Sequence, residues 1–466
     1  MTNTNPISID PVFDTLIRAT EQIKYPVLPD LDDIEVSVDG RTFPSVVIEQ
    51  VQDPFTIRLT CRDDKGDFYR TDMGRYGDIA PVFLVRSADG FIDLDGGFLS
   101  GQNGILDFRT WKQKISNDDV AATVWVLVGG RTAVDFPDPI PVPKGLNRPW
   151  FMERGLRCTI GGAPALIRRA IEVSEFPTEE SSAFVIARLG ACNDGDFLAS
   201  LRVVLSMIFG TWLEPAIQYH TRENGASNWR RVDRIYPFIK RDPTPAIRSV
   251  LQGEMRAAGD QLGTMLARCD ELLSQNVRLD VALQYLLGSH DGTEAEIRDM
   301  CSAIDAVAES PLLELASIRF IDDDRFLVVR ENIDKFLAQT LPPREALFRK
   351  RVGEVLTLAR TESSSKKQKM LWQATHIEIR KTEREALEHR HDMAHKGYIP
   401  FDYDDNAQWR LIFERSGLLR TLANRMLLSV LGFHGDSESY HAEWDTAVVP
   451  VTLNANGRIG DAIEPA

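Results

Sequence analysis

Arg390, His391, Asp392, Met393, Ala394 and His395 are consecutive and lead into Lys396 and Gly397. Arginine keeps its charge at any working pH while histidine titrates near neutrality, so the run joins an electrostatic clamp to a proton carrier. That combination suits chemistry at a phosphate: the guanidinium grips anionic oxygens and the imidazole moves the proton. In a straight helix, residues five apart stand about 140° apart, so Arg390 and His395 cannot meet one phosphate. Gly397 and Pro400 predict that the helix stops here, and a last turn loosened near His395 would bring both side chains to one cleft. Two other roles compete. Cations near a helix C-terminus are favoured by its dipole whatever the function. His391 and His395, four apart, also share a face at metal-ligand spacing. Asp392 directly after His391 leaves no HExxH motif, and a third ligand would have to come from His389, His434 or a carboxylate. Neither a metal nor a cofactor is expected.

Between Lys366 and Lys396 there are eight basic residues against five acidic ones, a local excess of +3 in a chain whose formal charge is -15. Lys381, Arg384 and Lys396 are therefore candidates for gripping a nucleic-acid backbone, although a solvated helix face has the same composition. The acidic total argues against a protein that coats nucleic acid without specificity.

The elements that must position these residues change character along the chain. Over the first third, Ile34, Val36 and Val38 run into Asp39-Gly40, and the apolar pattern resumes at Phe43, Val46 and Ile48, a hairpin signature. Further turns are expected at Asp64-Lys65-Gly66 and at Asp89-Gly90, and strands recur up to Val124–Val128. An antiparallel sandwich or barrel follows from this spacing. Pro137, Pro139, Pro141 and Pro143 make an extended connector that neither a helix nor a central strand can absorb. Beyond it the pattern is mixed, with a helix expected from Phe197 to Thr211 on the apolar face Leu201, Val204, Leu205 and Ile208, and with Trp212 and Trp229 in the core. Thr244 and Pro245 read as the cap and first position of a helix, after which the period is 3.6. Helices are expected at about 246 to 274, 278 to 288, 293 to 308, 344 to 361, 366 to 395 and 405 to 432. A short strand pair, Ser317–Phe320 with Phe326–Val329, is expected to interrupt them around a turn at Asp322-Asp323-Asp324. The fold class is α+β: a β-rich recognition domain over 1–140, a mixed region over 141–245, a helical domain over 246–445 and a disordered tail over 446–466.

Several classes of function find no support. Five widely spaced cysteines with no CxxC pair imply neither a disulfide framework nor a zinc knuckle. The residues Met1 to Pro6 lack the basic and apolar regions of a signal peptide, and the longest apolar stretch, Val203 to Leu213, is too short to span a membrane, so a cytoplasmic location is expected. The glycine-containing turns precede no GKS/T or GxGxxG, and Ser181 and Ser182 have no GxSxG setting.

A long helix carrying Arg390, a polar His391, His395 and then Gly397, followed by an apolar helix ending in Leu431-Gly432-Phe433-His434-Gly435, resembles the HEPN superfamily. With its β-rich front part, the chain is most similar to the ApeA-type HEPN proteins of bacterial anti-phage defence. The resemblance is clearest over residues 340 to 436. It implies an all-α bundle and metal-independent RNA cleavage by two such motifs meeting across a homodimer. Arg390 and His395 would be catalytic, and His391, where the commonest pattern has Asn, would orient the phosphate or tune His395. The resemblance also implies an abortive-infection effector, released when the N-terminal domain senses a phage product or a small ligand. A non-catalytic HEPN dimer that binds a partner protein or ligand is the alternative.

Overall fold

The computed structural model describes residues 10–21, 35–38, 41–43, 45–50, 57–62, 83–87, 90–95, 98–99, 105–108, 110–113, 119–130, 132, 134–140, 154–169, 181–192, 197–223, 227–233, 243–247, 252–288, 294–314, 318–342, 345–396, 404–441 and 446–459. For 21, 35–113, 181, 227–233, 252, 358 and 389–396 it describes the backbone alone. The chain divides into two compact units, Met1–Pro245 with Ser249–Leu266, and Ala246–Arg248 with Ala267–Ala466.

The first unit is built on antiparallel strands. In chain order they are β1 (Glu35–Val38), β2 (Arg41–Phe43), β3 (Ser45–Gln50), β4 (Ile57–Arg62), β5 (Phe83–Ser87), β6 (Gly90–Asp95), β7 (Phe98–Leu99), β8 (Ile105–Phe108) and β9 (Thr110–Gln113), followed by β10 (Val120–Gly130), β11 (Asp138–Pro139), β12 (Arg154–Ile160), β13 (Ala163–Arg169), β14 (Ser181–Leu189), β15 (Leu213–Arg222) and β16 (Ser227–Asp233). Twelve of them form one sheet in the order β11-β12-β13-β14-β10-β15-β16-β9-β6-β5-β1-β2, and β3-β4-β8-β7 form a second. The sheet therefore takes strands from both sides of the proline run. Within that run, β11 pairs with β12 at the sheet edge, a position that tolerates proline.

The hairpins follow the turn chemistry. Val38 pairs with Arg41 across Asp39-Gly40, as expected. Ser87 pairs with Gly90, so this hairpin closes one residue earlier than the Asp89-Gly90 turn expected. The Asp64-Lys65-Gly66 turn lies outside the described residues. β12 and β13 are joined through Gly161 and Gly162, at φ 54° and 74°, the left-handed values that a tight hairpin turn requires.

β10 is buried from Ala122 to Gly130, which explains an unbroken apolar run where alternation would mark a half-exposed strand. Both of its faces are covered. Tyr219, opposite Val124, donates its hydroxyl to Ala19 O of α1 (Pro11–Glu21) at 2.9 Å. On the other face Phe184, opposite Leu127, lies 4.3 Å between ring centroids from Phe209 of α2 (Leu198–Phe209). α2 matches its expected limits, and Leu201, Val204, Leu205 and Ile208 are all buried. Trp212 is not in the core as expected: it is half-buried, its Nε1 donates to Glu214, and Arg202 stacks 5.1 Å over its ring. A polar indole nitrogen at a strand start finds its partner at the surface. The Trp229 side chain lies outside the described residues.

The first part of α3 (Gln252–Ser274) lies against β12, where a Cβ at Gly263 would come within 2.8 Å of Thr159 O. No helix starts at Thr244-Pro245. Thr244 N donates to Gly210 O at 2.9 Å and Ile247 bridges Ser437, so the backbone there is committed to other partners.

The second unit is helical: the end of α3, α4 (Leu279–Gly288), α5 (Glu294–Ala308), α6 (Asp323–Thr340), α7 (Ala346–Ala359), α8 (Ser364–Ala374), α9 (Lys381–Lys396) and α10 (Asn406–Val430), with a small pair β17 (Gly435–Asp436) and β18 (Ala447–Val448). α5 is the hub, packing on α4, α8, α9 and α10. α10 buries the expected stripes Leu418, Leu422, Met426 and Val430 with Leu419, Ala423, Leu427 and Leu431. Arg420 reaches from α10 to Glu296 of α5 at 2.6 Å and donates to Leu286 O at 3.0 Å, both side chains being buried.

Three expectations are corrected here. Residues 326–329 are helical, not a strand: the Asp322 carboxylate accepts from Arg325 N at 2.8 Å as an N-cap, and Asp323 and Asp324 favour the helix N-terminus. The triple aspartate therefore starts α6 and is not a free-standing turn. The single helix over 366–395 is two, α8 and α9, separated where His376 takes φ 54°. Residues 446–459 are ordered, not disordered, because Val448, Val451 and Ile459 are buried, and Ile459 N donates to Leu312 O at 2.9 Å. Among the described residues, no helix is long and apolar enough to cross a membrane.

Candidate functional site

α9 carries every expected site residue. It begins with half a capping box: Glu383, third in the helix, turns back and accepts the Arg380 N–H. That carboxyl is 0% exposed, and its Oε1 has no hydrogen-bond partner. Burial pushes its pKa up to about 7, against the pull of the Arg380 N–H and of the charges on Arg425 and Arg380. Ala386, on the same line of the helix, is also 0% exposed. These two mark the face that α9 turns toward α5 and α10.

The opposite side is wet. Arg384 and Glu388 are exposed, and Lys381, with 91% of its side chain exposed, lies 3.8 Å from Glu385. For Arg390, His391, His395 and Lys396 the backbone fixes the line on which each stands. The helix is unbroken through Lys396, one residue short of Gly397, so the loosened last turn expected near His395 is not found. At about 100° per residue, Arg390 continues the packed line of Glu383 and Ala386, while His391 and His395 continue the surface line of Arg384 and Glu388. Within one chain the helix therefore brings the two histidines together and sets Arg390 apart. Gly397 and Pro400 lie outside the described residues.

A cleft of about 980 Å³ borders the histidine line. Gln368, Lys369, Trp372 and Gln373 of α8 form one wall, and Arg384 and Glu388 of α9 the other. Trp372 is buried beneath it, so the cleft has an apolar floor and a polar rim with cations on both walls. Lys369 of the cleft wall, and Glu383 on the packed side of α9 behind it, are not among the residues expected from the sequence. Glu383 had a legible signal, a glutamate three residues into a helix. Lys369 had none beyond its charge, because only the bend between α8 and α9 brings it to face Arg384. Among the described residues, no three His, Cys, Asp or Glu side chains gather as metal ligands; the side chains of His389, His391 and His395 lie outside that statement. No protein-family model, curated protein or solved structure matches the chain.

Proposed function

We propose that the helical unit is a metal-independent endoribonuclease of HEPN type. In this reading it acts as a homodimer in abortive infection, under control of a β-rich unit that responds to a phage-derived or small-molecule trigger. The observation that carries the reading is the alignment of His391 and His395 with Arg384 on one line of α9, beside a cleft edged by cations. RNA laid along that line presents a 2'-hydroxyl next to its own phosphate. One imidazole takes the hydroxyl proton, the 2'-oxygen bonds to phosphorus, and the bond to the 5'-oxygen breaks. A second imidazole, as imidazolium, protonates the departing oxygen. The products are a cyclic phosphate and a free 5'-hydroxyl. Charge that builds on the equatorial oxygens needs a guanidinium; Arg384 stands on the histidine line, and Arg390, next to His391 near the end of the helix, is the second candidate. Lys381, Arg384 and Lys396 hold neighbouring phosphates. DNA, without the 2'-hydroxyl, is spared.

Incubating a total-RNA pool with the protein, with Arg390→Ala and with His395→Ala tests the reading. Loss of about 100- to 10,000-fold in cleavage rate is expected for His395→Ala, with cleavage by the parent surviving EDTA. Unchanged activity in both variants would rule the reaction out. The position of Arg390 on the packed line favours a second reading, a non-catalytic HEPN dimer that binds a partner protein or ligand. Growth arrest on overexpression, abolished by His395→Ala, would count against it.

A further inference from the structure

The cleft between α8 and α9 is lined by charges that the chain itself does not match. Three other lysines of these helices have carboxylate partners: Lys366 pairs with Glu362, Lys367 with Glu309 and Lys381 with Glu385. Lys369 and Arg384, one on each wall, have no ion-pair partner among the described residues, and neither has Glu388. Arg384 and Glu388 stand four apart on α9, a spacing at which opposite charges can meet, yet they form no pair. The wall beneath them is fixed. Gln368, 7% exposed, donates to Asp305 of α5 at 2.6 Å, and Trp372 and Ile377 are buried. With Leu387 these two give the cleft its apolar floor. Its volume of about 980 Å³ is at the upper end of small-ligand sites, roughly 300–1,000 Å³.

We infer that the cleft takes an unpaired nucleotide of single-stranded RNA, its phosphates on Lys369 and Arg384, its base over the apolar floor and an amino group of the base donating to Glu388. The mixed charge of the walls selects this ligand. A free phosphate or an acidic peptide brings anionic acceptors alone, and the Glu388 carboxylate repels them. A nucleotide brings anionic oxygens at one end, N–H donors at the other and a flat ring between. In an A-form duplex that base edge is paired and lies in a groove too narrow for side chains, so the strand is single. Glu388 precedes His391 by three residues, about one turn of α9, and the nucleotide held here is therefore a neighbour of the one to be cleaved. The inference rests on the reading of RNA as ligand but not on the cleavage step. It adds Lys369 as a phosphate holder and Glu388 as the residue that sets base preference.

Fluorescence anisotropy of the full chain with 2'-O-methyl oligocytidylate and oligouridylate tests it, because the methyl group blocks cleavage and leaves binding alone to be read. Lys369→Gln/Arg384→Gln is expected to weaken both complexes and to flatten the slope of log affinity against log salt by about 1.4, two contacts at about 0.7 each. Both side chains are exposed, so the variant keeps its fold, which circular dichroism checks. Lys335→Gln/Lys366→Gln removes two charges from outside the cleft and is expected to keep the slope. The parent is expected to favour cytidine at least about fivefold, since uracil has an oxygen where cytosine has its amino group, and Glu388→Ala to lose that preference. No binding by the parent, an unchanged slope in the cleft variant, an equal drop in the control, an absent cytidine preference or equally tight binding of polyglutamate overturns the inference. Cleavage of the total-RNA pool is scored separately. Binding with these variant effects but no cleavage refutes the reaction and leaves the cleft standing, and cleavage with unaltered binding in the cleft variant does the reverse.

Discussion

Glu383→Gln isolates a buried carboxyl at the start of α9. In the unfolded chain a glutamate releases its proton near 4.5; in the fold, burial moves Glu383 up to about 7. The folded state thus still holds a proton that the unfolded state has lost. The stability this provides is complete below about pH 4.5 and declines as pH rises through about 7, where the buried carboxyl ionises at last. Each pKa unit corresponds to about 1.36 kcal/mol, so the group removes about 2.5 kcal/mol between about pH 5 and about pH 8. Glutamine keeps the oxygen that accepts the Arg380 N–H and cannot ionise. Urea titrations followed by helical circular dichroism at the two pH values should show the parent losing that increment relative to the variant, with the variant the more stable at the alkaline end. Equal pH slopes in the two proteins would refute the late-ionising carboxyl. A parent that gains stability over the variant as pH rises would refute its sign.

Arg420→Ala should cost about 3–5 kcal/mol in a denaturant titration, because it strands the buried Glu296 carboxylate. Asp322→Ala removes the cap of α6 and should cost about 1 kcal/mol, while Asp322→Asn should restore most of it. A stop codon after Asp445 removes the buried Val448, Val451 and Ile459 and should lower the unfolding free energy by several kcal/mol, at about 1.5–3 kcal/mol per side chain. A fully stable truncated protein would show that these contacts are incidental.

Where an end or turn signal and a periodic apolar pattern coincide, the chain was legible. The Asp39-Gly40 hairpin, α2 and the stripes of α10 each combine an end signal with a periodic apolar face, and each falls where expected. Phe326-Leu327-Val328-Val329 has strand composition and three aspartates suit a turn as well as a cap; the cap prevails because the Asp322 carboxylate accepts the Arg325 N–H. The division of 366–395 was missed because Thr375 to Arg380 contains neither glycine nor proline; its break rests on His376 in a left-handed conformation. In the segment beyond 446, expected to be disordered, the spaced Val448, Val451 and Ile459 are buried and hold the chain in place. At the site, the residue types and their order along α9 were readable, but which of them share a line depended on the helix staying regular to Lys396. A cleft made by two helices meeting at a bend has no sequence signature of its own.

The sheet order has a consequence for how the molecule comes off the ribosome. β9 pairs with β6 on one side and with β16 on the other, through Thr110–Lys112 and Arg231–Asp233. The strand that covers the β9 edge is thus specified roughly 120 residues later. At about 5–20 residues per second that edge waits on the order of ten seconds for its neighbour, offering unpaired amides and carbonyls to other nascent chains. Until β16 is made, the β9 edge of the unfinished chain exposes the same backbone groups as any unpaired edge strand, a place where a chaperone can bind.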